Sequence, residues 1–248
     1  MNHPLKRFGH LLLLAAVPAA IFTSCGGDDD PDPVPVVDKG KVMAVHAVTS
    51  PSVAVKFLSD DTELKQLAYK EQSGYQEVNA GSHTFKIAVA ATGGATLLSS
   101  TQTVSKDKSY SLFAYTATGQ ASNTATGLWV EDDLTAPSSG KAKIRLVNVG
   151  QGTPSPVGLM RTENSTTTTA VIPGTALGAA SSFVEIAPGT ATYYLVNTTT
   201  NLPVVPLAGS DKLTTNFAAG KIYTLYLRGS ATPLSTTERF ELDLVTHN

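Results

Sequence analysis

From Lys39 onward, polar and apolar residues alternate along the chain with a period of two. His83-Thr84-Phe85-Lys86-Ile87-Ala88-Val89 places Phe85, Ile87 and Val89 on one face of an extended strand and Thr84, Lys86 and Ala88 on the other. Tyr110–Tyr115 and Ile222–Leu227 are short runs rich in aromatic and branched residues, and Arg239-Phe240-Glu241-Leu242-Asp243-Leu244 alternates cleanly. Turn clusters such as Ala91-Thr92-Gly93-Gly94, Ala187-Pro188-Gly189 and Ala218-Ala219-Gly220 separate these runs. No stretch in this region sustains an apolar stripe at helical spacing. The pattern predicts an all-β fold of short strands in antiparallel sandwiches.

The strands also recur. Val42-Met43-Ala44-Val45-His46 matches Ile144-Arg145-Leu146-Val147-Asn148, and Tyr75–Gly81 matches Phe183–Gly189. Phe85 and Ile87 correspond to Tyr193 and Leu195, and Lys108–Phe113 to Lys221–Tyr226. Each copy is expected to end in an acidic-leucine strand, Asp132-Asp133-Leu134 and Leu242-Asp243-Leu244, with Gly81 and Gly189 in hairpin turns. The widening offset implies insertions in the second copy, and the polythreonine stretch from Ser165 to Thr169 is expected to be a loop of that kind. Residues 41–140 and 141–248 are therefore expected to form two tandem immunoglobulin-like antiparallel β-sandwich domains in contact, joined near Ser138-Ser139-Gly140.

The opening strands with His46 or Asn148, the aromatic-x-x-apolar-x-x-Gly segments, the Lys-x-Tyr-x-Leu strand and the passage from Asp132 to Asn148 together resemble domain of unknown function 4397, common in secreted and lipid-anchored bacterial proteins. The resemblance spans roughly residues 41–248. It implies a β-sandwich with no established enzymatic activity and transfers no active-site residue.

The first 38 residues follow another pattern. Lys6 and Arg7 precede an apolar run, Leu11–Phe22. That run is shorter than the roughly 20 residues a spanning helix needs, and the layout is that of a secretory signal occupying residues 1–24. Phe22-Thr23-Ser24-Cys25 resembles a bacterial lipobox, with Phe22 at the usual leucine position. Cleavage is expected after Ser24 and lipidation on Cys25, the only cysteine of the chain. Residues 25–40 then read as a lipidated cysteine and a tether. Gly26–Asp38 carries five Asp and three Pro, which extend the chain and oppose regular structure. An acidic run at this place resembles the surface-export signal of Bacteroidetes lipoproteins.

Composition narrows the chemistry. Of 248 residues, 18 are Lys or Arg and 20 Asp or Glu. Setting aside Lys6, Arg7 and the five tether aspartates, the rest is almost neutral, without the basic footprint of a nucleic-acid binder. There is no Gly-x-Ser-x-Gly elbow, no P-loop and no His-Glu-x-x-His motif. His46, His83 and His247 lie far apart in sequence. His46, aligned with Asn148, is expected to bond backbone near a strand end, and His83 to be a half-buried rim residue. Glu131-Asp132-Asp133 lacks the spacing of a calcium loop and reads as a solvated edge strand. Trp129 is either an exposed platform for a sugar ring or a plug in the core, the core being the commoner use of a lone Trp between Leu128 and Val130. The expected protein is a non-enzymatic envelope lipoprotein of the outer membrane, without cofactor or metal. It would meet the membrane through its lipid and another envelope protein or glycan through its loops. The alternative is a structural spacer or assembly lipoprotein.

Overall fold

Seventeen short strands among the described residues cannot each find a solvent-free side alone, so they pair into sheets and the sheets stack. The computed structural model describes residues 37–121, 123–163, 167–204 and 212–248. The signal segment, Ser24, Cys25 and the tether through residue 36 lie outside them. Residues 37–248 form one compact unit.

In the first half, β2 (Val55–Ser59), β3 (Thr62–Leu67), β5 (Gly81–Val89) and β6 (Thr96–Val104) form an outer sheet in the order β3-β2-β5-β6. An inner sheet has the order β4-β1-β7-β8, from β1 (Lys39–Ala47), β4 (Gln76–Asn79), β7 (Ser109–Tyr115) and β8 (Thr126–Glu131). The second half repeats both orders. Its outer sheet is β11-β10-β14-β15, from β10 (Val157–Glu163), β11 (Thr167–Thr175), β14 (Gly189–Asn197) and β15 (Leu213–Phe217). Its inner sheet joins β9 (Ala142–Asn148), β16 (Ile222–Arg228) and β17 (Glu241–Thr246), with β12 (Ala179–Ala180) and β13 (Val184–Ile186) sharing the free edge of β9. Pairing is antiparallel except between β1 and β7 and between β9 and β16, which run parallel. Among the described residues the only helical element is the single 3-10 turn Thr236–Glu238.

Alternate residues of the inner strands serve different cores. Val42 and Ala44 of β1 face the outer sheet with Phe57, Phe85 and Ile87, whereas Met43, Val45 and Ala47 face the other half. There they meet Phe113, Tyr115, Val147, Val149, Tyr226 and Val245 in a third core. Ile144, Leu146 and Leu225 face the second outer sheet with Leu159, Tyr193 and Phe217. The four sheets thus form a stack, and β1, β7, β9 and β16 are buried on both faces. This explains why they read as nearly continuous apolar runs rather than strict alternations.

Several expectations need correction. Gly81 and Gly189 do not sit in hairpins. Each begins a strand in the outer sheet just after an inner-sheet strand, with φ of 141° and 114°, so the chain changes sheets there. Lys39 and Gly40, counted with the tether, belong to β1. A Cβ on Gly40 would lie 2.5 Å from Val104 Cγ1, so glycine is what lets β1 pass there. Thr167–Thr169 pair with Glu163, Thr162 and Arg161, so these threonines belong to β11 and not to a loose loop; Ser165 and Thr166 lie outside the described residues. The acidic-leucine match is also displaced. Tyr110 opposes Glu131 while Tyr223 opposes Thr246, so Trp129 corresponds to Leu244, and Asp132 lies beyond the end of β8.

Candidate functional site

Asp132, read from sequence as solvated, is buried. It leaves β8 where the chain crosses to β9, and its carboxylate enters the seam between the inner sheets. One oxygen pairs with Arg145 Nη2. The other accepts Ser111 Oγ–H at 2.7 Å and Tyr75 Oη–H at 2.6 Å. Since that donation uses the tyrosine proton, His247 Nδ1, 2.8 Å away, is the donor to Tyr75 Oη. His247 Nε2 then accepts from Thr224 Oγ1 at 2.7 Å, and Thr224 accepts from Arg145 Nε at 2.8 Å. The ring of hydrogen bonds closes with His247 neutral. Burial lowers the His247 pKa to about 4, and burial together with Asp132 pushes Tyr75 up. Phe183, the counterpart of Tyr75, lies under the Arg145 guanidinium at 4.7 Å. The missed signal was pairwise: Arg145 stands between Ile144 and Leu146-Val147 in a fully buried strand, and an aspartate directly follows β8.

A second cationic cluster occupies the same seam. Arg228, fully buried, pairs with Asp243 and Glu241 and sits over Tyr69 at 5.3 Å. Tyr226 Oη donates to Lys70 O at 3.1 Å. In both clusters the arginine is buried and its charge is answered within the seam, while Glu241 and Asp243 remain partly exposed.

The remaining sequence candidates are dispersed. His46 is buried, with Nε2 2.8 Å from Val53 O and Nδ1 accepting from Val48 N at 3.3 Å. Burial lowers its pKa. Asn148 likewise bonds Thr175 O and Thr153 Oγ1. His83 is partly buried, with Nδ1 2.5 Å from Asp60 and Nε2 2.8 Å from Asn79 O. The three histidines have separate partners, and no group of three metal-ligating side chains occurs among the described residues. Asp133 holds Lys143 at 2.7 Å, and Lys143 with Thr135 brings its carboxyl to about 2. Trp129 is half-buried against the first core, stacked on Phe85 at 5.1 Å and Tyr110 at 5.0 Å.

What the structure gathers is a loop face. β1, β7, β9 and β16 run in one sense, so their ends lie away from Val37, where the chain enters the unit. Loops 48–54, 116–125, 149–156 and 229–240 meet there: Thr49 donates to Gln151 at 3.2 Å, Ser52 to Glu238 at 2.7 Å, and Gly152 N to Thr118 at 3.0 Å. Among the described residues the exposed large apolar side chains are Val37 (54 %), Val53 (43 %), Leu202 (64 %) and Leu234 (85 %). Val53 and Leu234 stand on these loops, and Leu202 follows β14 at the same end, where Asn197 pairs with Val157. Clefts at the opposite end, around Lys39, Lys108 and Glu131, are lined by charges that pair with one another.

The class is therefore an all-β protein of stacked sandwiches with a loop face joining both halves. Residues 40–155 match the profile of the family described as a domain of unknown function (DUF4397), and that stretch belongs to this family. No protein of curated function matches the chain. Solved structures with some likeness include the Bacillus anthracis TIE protein, at 10 % identity and a TM-score of 0.26 over 77 % of this chain. This chain covers 34 % of that protein's length. Two candidate cell adhesion proteins, from Bacteroides uniformis and Bacteroides fragilis, are 10 % and 9 % identical, with TM-scores of 0.24 and 0.26; each comparison covers 85 % of this chain and 98 % of the other. At those values the likeness carries no functional argument. Among the described residues no helix is long and apolar enough to cross a membrane.

Proposed function

We infer that this protein is a non-enzymatic binding module of the bacterial cell envelope, held by lipid on Cys25 and presenting its loop face to a protein or glycan. One observation carries the reading: apart from Val37, the exposed large apolar side chains stand on loops at the end away from the chain's entry. Solvent-facing leucine and valine concentrated on one loop cluster suit contact with another molecule. The polar groups of the seam are consumed internally, which suits a scaffold rather than a catalyst. Anchoring at Cys25 would leave the loop face pointing outward, with a tether of 13 residues reaching up to about 45 Å.

The test uses the full-length chain on cells. Leu202→Asp with Leu234→Asp should reduce cell attachment to mucin- or matrix-coated surfaces several-fold, with an unchanged melting temperature. Cys25→Ser should abolish palmitate labelling and release the protein from membranes. Attachment equal to the parent in the loop variant would sink the binding reading. A spacer or assembly role is the second reading, favoured by the apolar seam and its two buried arginine clusters, which make the halves a stiff unit.

A further inference from the structure

Two clefts open between the loops of the face just described, and Ser230 lines both. The smaller, about 220 Å³, is walled by Thr49, Thr116 and Gln120 from the first half and by Gln151, Ser230 and Glu238 from the second. That volume lies below the roughly 300 Å³ at which pockets begin to enclose drug-sized molecules, so it suits a single ring. The larger, about 440 Å³, is bounded by Pro154, Pro233, Phe240 and the exposed Arg239, so charge selects the ligand class at the smaller cleft.

The hydrogen-bonding state of the smaller cleft selects a ligand class. Glu238 is buried, and both carboxylate oxygens are engaged, one by Ser52 Oγ at 2.7 Å and the other by Leu234 N at 2.9 Å. Gln120 Oε1 accepts from Ala117 N at 2.9 Å and Thr126 Oγ1 at 3.0 Å. Gln151 Oε1 accepts from Thr49 Oγ1 at 3.2 Å. Both amide oxygens are thus turned to the protein, and neither Nε2 donates to a protein acceptor among the described residues. What the cleft offers is carboxamide donors and hydroxyls around a carboxylate that is already satisfied. An anion would meet Glu238, and a metal ion would find one occupied carboxylate. A neutral polyol both donates and accepts, and its C–H face packs on apolar surface.

We propose that the paired clefts bind a neutral glycan. One sugar ring enters the smaller cleft with its hydroxyls accepting from Gln120 and Gln151 Nε2, and the adjoining ring lies against Pro154 and Pro233. The inference rests on the loop-face reading and names its ligand class.

The experiment probes an array of neutral, sialylated and sulfated oligosaccharides with the full-length chain in detergent. Gln120→Glu and Gln151→Glu keep the acceptor oxygens that hold the loops and replace only the free donors. Binding is expected on neutral oligosaccharides, competed by the free sugar, and weakened at least about tenfold by either substitution with an unchanged melting temperature. Trp129→Leu, which installs the residue type of its counterpart Leu244, should leave it intact. Binding confined to acidic sugars, or insensitive to both glutamine changes, overturns the proposal, as does binding lost only in Trp129→Leu. If no glycan binds but the Leu202/Leu234 variant still lowers attachment, the glycan fails and the loop face survives. If neither effect is seen, both fail.

Discussion

Gly178 shows how much of the seam one residue can decide. It has φ of 72°, and a Cβ there would lie 2.5 Å from Tyr115 Oη across the seam. Its N–H donates to Asn148 O at 2.7 Å, as Lys70 N–H donates to His46 O at 2.9 Å in the first half. Gly178→Ala should cost about 1–3 kcal/mol in chemical denaturation. Adding Tyr115→Phe should recover part of that by removing the hydroxyl; no recovery would mean the cost is backbone strain alone. His247 makes a pH prediction at the same scale. Its folded pKa of about 4 lies below the ordinary 6.5, so the neutral ring contributes its full stability above about pH 6.5. That contribution fades as pH falls toward 4, with a total on the order of 3 kcal/mol. Protonated His247 carries a hydrogen on Nε2, and Thr224 can then no longer donate to it. Arg145, Asp132, Tyr75 and Phe183 complete the ring's surroundings. The parent's stability to denaturant should fall between pH 6.5 and 4.5, and His247→Asn should flatten that slope; equal slopes would remove His247 from the account.

At the scale of elements, β1, β7, β9 and β16 are the interior strands of the two inner sheets, with apolar partners on both faces and a paired strand on each side. Their amides should be the slowest to exchange with deuterium, while β3 and β11, at outer edges, exchange sooner. Protection of β3 equal to that of β1 would contradict the stack. The doubly buried strands were legible in part: Val42-Met43-Ala44-Val45 and Leu112-Phe113-Ala114-Tyr115 leave no polar face to give to water. Their parallel pairing was not legible, because residue types along one strand carry no direction for its neighbour. The displaced match of Asp132-Asp133-Leu134 with Leu242-Asp243-Leu244 has a similar cause. Similar letters suggested a register that only the opposing strands could set.

At the scale of the molecule, the halves meet through related surfaces. Asp132 and Ser111 from one face Arg145 and Thr224 from the other, where Ser111 and Thr224 are counterparts in the repeat. Arg145 is the counterpart of Met43, so the buried charge exists on one side only. Residues 37–141 made alone would expose Met43, Val45, Phe113 and Tyr115 and leave Asp132 without its arginine. That fragment should associate or aggregate in size-exclusion chromatography, whereas residues 37–248 should unfold in one transition. A soluble, monomeric fragment would show that the seam is dispensable to the first half.

Alternation alone determined the all-β class, the recurring strands and most core positions, because a strand side chain's facing depends only on its place in the chain. The backbone-bonding roles of His46 and the half-buried place of His83 were readable for the same local reason. Tertiary structure decided the rest. Asp132 is buried because a residue from the other half answers its charge, and the loop face with its two glutamine donors exists only where four strand ends are brought together. Local pattern sets which side of a strand meets an apolar neighbour. Which distant residue that neighbour is depends on how the sheets stack.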